Sequence, residues 1–222
     1  MPREEKTSIE KICLTEKISY VAASGSPLSS DVILIDGEEY LYLFDVGNNE
    51  EVAAYLDSLP KKKKVILSHF HEDHMGNIGR LRFEAVYAGT ATEKHYSRYI
   101  PEYKQGQEPE TYRTVTSPVT ISDGVELKIY PVPSSHAKGC LLLQVNGEIL
   151  FMGDALYPST KNGKAVYNVQ LLKEELRLLQ ELPGEQLFSS HEKRPLKVKK
   201  GVLRFLKSLY EQREPNQFYR ER

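Results

Sequence analysis

Only two cysteines, Cys13 and Cys140, occur in the 222 residues, and they lie far apart. That excludes a disulfide framework and a cysteine-based zinc knuckle, and both read as small buried apolar residues. No stretch approaches the roughly 20 apolar residues of a membrane span. The opening MPREEKTSIEKICL is charged where a secretory signal needs an apolar centre. An excess of charge is missing too: 30 basic against 31 acidic residues leave a formal net charge of -1. Such a balance favours neither nucleic acid nor a membrane surface as partner. Internal repeats and low-complexity tracts are likewise absent. These absences lead to the expectation of a cytoplasmic protein with a small-molecule partner, and they leave its oligomeric state open.

What is present is globular, with 40% hydrophobic and 27% charged residues, and the length suits one domain over residues 1–222. KISYVAA, DVILIDG and EYLYLFDVG predict an antiparallel opening meander. Residues 49–59 predict a short helix with Val52, Tyr55, Leu56 and Leu59 on one side, and VILS a buried strand. FEAVYAG predicts another strand, followed by a helix from Ala91 to Tyr99. Residues 100–118 turn polar without periodicity and read as a loop or insertion, with Tyr103 among the candidates for a lid or pocket wall. VELKIYPVP, CLLLQVN and EILFMGD give three further strands, the last two joined at Asn146-Gly147. A long helix carries Val169, Leu172, Leu176 and Leu179, QLFSS is a short strand, and Pro195 is placed to start a final helix. The lysine runs 61–64 and 197–200 read as solvated surface.

Residues 68–77, SHFHEDHMGN, concentrate three imidazoles and two acids at the end of the predicted strand VILS. Nitrogen and carboxylate donors of this kind suit zinc and similar transition metals. Residues two apart on extended backbone project to one side, so His69 and His71 are placed to share an ion. Asp73 and His74, after a turn, point to a second position nearby. His136, Asp154 and His191 each follow a predicted strand, where sheet edges bring loops together. His95, in a predicted helix beside Tyr96, reads instead as surface or rim.

SHFHEDH, with His136, Asp154 in FMGDALY and His191, resembles the metallo-β-lactamase superfamily in its binuclear branch. The resemblance extends from DVILIDGEEYLYLFDVG to SSHEKRP. It implies an α/β fold of the α+β kind, a four-layer αββα sandwich. It further implies that His69, His71 and His136 hold one divalent ion, that Asp73, His74 and His191 hold a second, and that Asp154 bridges them. Zn2+ is the leading expectation, with Fe or Mn as alternatives. Asp45 in FDVG resembles the family aspartate that supports the ligand loop, with a strand-end cap as the plainer reading. The flavodiiron branch usually has a glutamate where this chain has His71 and adds a flavin domain, so hydrolysis is favoured over redox chemistry. The implied reaction is attack by a hydroxide shared between the two ions on an ester, thioester or lactone, with Asp73 as a candidate proton shuttle. A phosphodiesterase of the same fold, and a non-catalytic metal-stabilised binding protein, are the alternatives. Tyr157, Lys138 and Arg194 follow ligand positions and are candidates to line the mouth, the two cations as partners of an anionic substrate group.

Overall fold

The structure is a computed structural model, and it describes residues 9–96, 98–99 and 112–222. Strands β1 (Lys11–Cys13) and β2 (Ile18–Val21) open the chain. A short hairpin of β3 (Ser24–Gly25) and β4 (Leu28–Ser29) leads into β5 (Val32–Asp36) and β6 (Leu41–Phe44). Helix α1 (Glu50–Ser58) precedes β7 (Lys63–Ile66), and the single turn α2 (Glu72–Met75) follows. Strand β8 (Ala85–Ala88), helix α3 (Thr90–Tyr96) and β9 (Tyr112–Thr114) complete a sheet of order β1-β2-β5-β6-β7-β8-β9. Its first four strands pair antiparallel, as the opening meander requires, and β6 to β9 run parallel.

The second sheet combines β10 (Val119–Ser122), β11 (Glu126–Pro131), β12 (Leu141–Val145) and β13 (Ile149–Phe151) with β16 (Gln186–Phe188) and β17 (Leu196–Val198), in that order. Between β12 and β13, Asn146 and Gly147 take φ of 52° and 67°, the left-handed pair that a two-residue hairpin turn needs. A smaller sheet joins β14 (Ser159–Lys161), β15 (Lys164–Asn168) and β18 (Tyr219–Glu221). Helices α4 (Val169–Glu181) and α5 (Lys199–Glu211) flank the second sheet.

Alternation along the strands builds the layers. Ile33, Ile35, Tyr42 and Phe44 from the first sheet meet Leu127, Ile129, Leu143 and Phe151 from the second in one buried cluster. Their neighbours Val32, Leu34, Leu41 and Leu43 face the other way, against Val52, Leu56 and Tyr96 of α1 and α3. Leu142, Leu150 and Leu187 turn outward from the second sheet onto Leu172, Leu176, Leu206 and Leu209 of α4 and α5. Period-two burial on both sheets thus produces helix, sheet, sheet, helix: the four-layer αββα sandwich.

Several local expectations need correction. Cys13 is exposed, because edge strand β1 has only β2 beside it, whereas Cys140 is buried. Pro195 does not start a helix: residues 196–198 pair antiparallel with β16, and α5 begins at Lys199. The helix expected to reach Tyr99 ends at Tyr96. Within 100–118, residues 112–114 form β9 instead of a loop, and Tyr103 with the rest of 100–111 lies outside the described residues. The lysine runs are not uniformly solvated either. Lys63 and Lys199 are buried, with Nζ of each donating to the carbonyl of a residue that ends a helix, Leu59 and Leu182. A cation there satisfies a carbonyl with no partner within its helix and meets the negative end of the helix dipole.

Candidate metal centre

The strand β7 delivers SHFHEDH to the edge of the sandwich, and the loops after β11, β13 and β16 deliver His136, Asp154 and His191 to the same place. Two groups of donors result, His69, His71 and His136 in one and Asp73, His74, Asp154 and His191 in the other. Within the first, His71 Nδ1 lies 2.9 Å from His69 Nε2 and 3.0 Å from His136 Nε2. Within the second, His191 Nε2 is 3.0 Å from Asp73 Oδ2 and 3.3 Å from His74 Nε2. Asp154 Oδ2 faces both groups, 3.5 Å from His136 Nε2 and 3.4 Å from His74 Nε2.

Asp45 sets how two of these imidazoles present themselves. Its Oδ1 accepts from the Ser68 amide and its Oδ2 from the Ser68 hydroxyl, each at 2.7 Å. Because that hydroxyl spends its proton on Asp45, at 2.9 Å it can only accept from His69 Nδ1. His74 Nδ1 donates directly to Asp45 Oδ2 at 2.8 Å. Both rings are therefore protonated at Nδ1 and turn Nε2 toward the other donors. Gly153 permits the close approach: it has φ of +53°, and an added Cβ would stand 2.6 Å from Ser68 Cβ and Oγ.

A cation fits this donor set. Burial lowers the affinity of His69 for a proton well below the usual imidazole value, and burial, followed by the His136 imidazole, lowers that of His71. Burial also lowers His136. Three imidazoles held neutral with nitrogens about 3 Å apart lack the protons to bridge every contact, and a shared cation resolves the crowding. The second group carries the negative charge. Burial alone would lower His74, but Asp45 and Asp154 raise it to about 10. Burial likewise opposes ionisation of Asp73 and Asp154, yet hydrogen bonds from His191 and His74 leave both below the usual carboxylate value. Asp154 Oδ1 is buried with no hydrogen-bond partner among the described residues, an orphaned acceptor facing no donor.

Asp31 was not singled out from the sequence, since it sits in no motif and its contacts with the metal-centre loop, Ser190 and His191, lie about 160 residues away. It is buried just before β5 and accepts from the Ala23 amide, the Ser190 hydroxyl and the His191 amide at 3.1, 2.9 and 2.9 Å. Those bonds hold His191 at φ of 63°, a left-handed conformation that a non-glycine residue adopts only under constraint. The only signal in the sequence was an acid at the head of an apolar strand.

Tyr157 stands at the rim, its ring centroid 6.2 Å from that of His136 and its hydroxyl donating to the Ser190 carbonyl. Lys138 and Arg194 are exposed. His95 belongs to neither donor group and stacks on Phe70 at 4.5 Å.

The Metallo-beta-lactamase superfamily profile matches residues 25–191. The chain belongs to the metallo-beta-lactamase superfamily. Solved structures agree at the level of fold. A metallo-beta-lactamase from Pontibacter korlensis superposes with a TM-score of 0.66 at 17% identity, over 92% of this chain and 99% of that one. A stereoselective inverting sec-alkylsulfatase from a Pseudomonas species gives 0.66 at 16% identity, over 91% and 42%. The flavodiiron protein of Giardia intestinalis gives 0.63 at 15%, over 92% and 59%. No curated protein sequence matches the chain.

Proposed function

We propose that the chain is a binuclear metallohydrolase acting on a small ester, thioester or lactone. One observation carries this reading: seven donors converge in two groups with Asp154 facing both. A purely structural zinc uses four protein ligands in a closed site, so seven donors exceed what a structural ion needs. His69, His71 and His136 would hold one ion, Asp73, His74 and His191 the other, and Asp154 both, with Zn2+ the metal best suited to the set and Fe or Mn able to use the same donors. Two such ions, when bound, supply Lewis acidity and lower the pKa of a shared water toward neutrality.

The chain's own groups orient and move protons. Asp45, directly and through Ser68, keeps the Nε2 atoms of His74 and His69 facing the site. Asp73, half-buried and held ionised by His191, orients the attacking water and accepts its proton at a carboxylate oxygen. The imidazole of His71, in place of a carboxylate, favours hydrolysis over redox chemistry.

The test is metal content of the freshly purified protein together with hydrolysis of ester, thioester, lactone and phosphodiester probes before and after chelation. Two ions per chain with chelator-sensitive turnover of a carboxylic probe is the expected result. Turnover of the phosphodiester alone would transfer the assignment to that chemistry, and inactivity of metal-replete protein on every probe would reject the hydrolase. Asp73→Asn is expected to lower kcat about 100-fold, and near-normal turnover with both ions still bound would overturn its role as proton acceptor.

A further inference from the structure

Behind the rim of the metal centre lies a cavity of about 470 Å3. Its lining begins at residues that follow two metal-centre positions, Leu156 and Tyr157 after Asp154 and Glu192 after His191, and continues along β17 and α5. Leu156 is buried, whereas Val198 and Phe205 are 65% and 45% exposed, so an apolar surface runs from beside the metal centre out to solvent. The charges in the lining select nothing, since Glu192 and Lys197 neutralise one another at 2.7 Å and Arg222 carries the chain's terminal carboxylate. What the cavity supplies is space in which a hydrocarbon group can leave water.

Tyr157 belongs to both spaces. Its half-buried ring meets the His136 imidazole edge on, with centroids 6.2 Å apart and planes at 69°, and it also lines the cavity. The side chain is tied down at root and tip. Its backbone amide donates to the Asp154 carbonyl at 2.9 Å, closing a turn right after one metal-centre position. Its hydroxyl donates to the Ser190 carbonyl, right before another. Burial raises the pKa of the phenol, so the donated proton stays in place. Swinging the ring aside breaks the hydrogen bond of a half-buried group, so the side chain is a fixed wall.

We propose that Tyr157 sets the substrate size that the metal centre can shelter: its ring closes the way from the His136 side into the apolar cavity behind it. The identity of the substrate rests on the ester-hydrolase reading above, whereas the partition can be probed with any metal-binding head that carries a chain. With the wall in place, lengthening an acyl chain gains little, because the added carbons stay in water. With the wall removed, each methylene that enters the cavity contributes up to about fourfold.

Calorimetric titration of the zinc-loaded protein with acetohydroxamate and octanohydroxamate tests it, alongside hydrolysis of 4-nitrophenyl acetate and octanoate. The parent is expected to bind the two hydroxamates within about threefold of each other. Tyr157→Ala is expected to raise the preference for octanohydroxamate roughly tenfold or more with metal content unchanged, and the kcat/KM preference for the octanoate ester with it. Tyr157→Leu, a milder change, is expected to move both in the same direction, and Tyr157→Phe, which keeps the ring, to retain the parent profile. Gly201 lines the cavity where an added Cβ meets nothing within 4 Å, so Gly201→Phe in the Tyr157→Ala background is expected to abolish the gain. A parent that already prefers octanohydroxamate tenfold, an unchanged preference in both Tyr157→Ala and Tyr157→Leu, an equal gain in Tyr157→Phe, or a gain that survives Gly201→Phe overturns the partition. Hydroxamate preferences that shift as expected while no form hydrolyses either ester reject the hydrolase and leave the partition standing. Ester hydrolysis with one chain-length profile in every variant does the reverse, and zinc-loaded protein that binds neither hydroxamate overturns both.

Discussion

Single residues decide how the metal centre is held, and Asp31 is the clearest case. Its carboxylate fastens the backbone of His191 and the Ser190 side chain to the start of β5. Removing it frees a residue whose left-handed backbone costs of order 1–3 kcal/mol to maintain. Asp31→Ala is therefore expected to weaken binding at the His191-containing group by about 10–100-fold, in line with other groups that orient ligands. Competition against a chromogenic zinc chelator measures this, and two unchanged affinities would show that the Ser190–His191 loop holds itself. The donors were legible in the sequence because His69, His71, Asp73 and His74 crowd one loop and the others end strands. Asp45 was legible by resemblance alone. Asp31 was not, because hydrogen bonds between residues so far apart in the chain leave no local pattern.

At the scale of elements, α4 connects the ligand loops to the core. Its cap Asn168 accepts from the Gln170 and Leu171 amides and donates its own amide to Ser135. One residue earlier, Ser134 accepts from the His136 amide and donates to the Ala155 carbonyl. The same helix buries Glu175, whose Oε1 has no partner among the described residues, and burial raises its pKa well above 4.5. A carboxyl raised in the folded state binds more protons there than in the unfolded chain. Its stability contribution is complete below about pH 4.5 and is lost as pH rises through the folded-state value. Glu175→Gln, which cannot ionise, is expected to gain stability relative to the parent as pH climbs from 5 to 8. Urea midpoints across that range check it, and parallel curves would mean that Glu175 does not titrate in the folded protein.

The elements were mostly legible where alternation or amphipathic spacing is strong, as in β5, β6, β12 and α4. They were not where tertiary pairing decides. Residues 196–198 carry no strand pattern of their own and extend only because β16 offers an edge. Residues 219–221 join β15 in the same way. The surface reading of lysines failed at Lys63 and Lys199 because composition does not reveal a helix end waiting for a cation.

For the whole molecule, bound metal is coupled to stability. Ions that bind the folded chain and not the unfolded one stabilise it by mass action, about 2.7 kcal/mol at a hundredfold excess over Kd. Stripping the ions with a chelator is expected to lower Tm by several degrees, and restoring Zn2+ to recover it; an unchanged Tm would mean that the donors bind no ion with useful affinity.

Both donor groups also draw on both sheets: His69 and His71 join His136 across the sandwich, and Asp73 and His74 join Asp154 and His191. Each ion would therefore act as a rivet between a front piece ending before residue 101 and a back piece starting after 111. A backbone severed within 101–111 should leave two fragments that reassociate more tightly when zinc is supplied, making ion binding a reporter of the chain's reassembly.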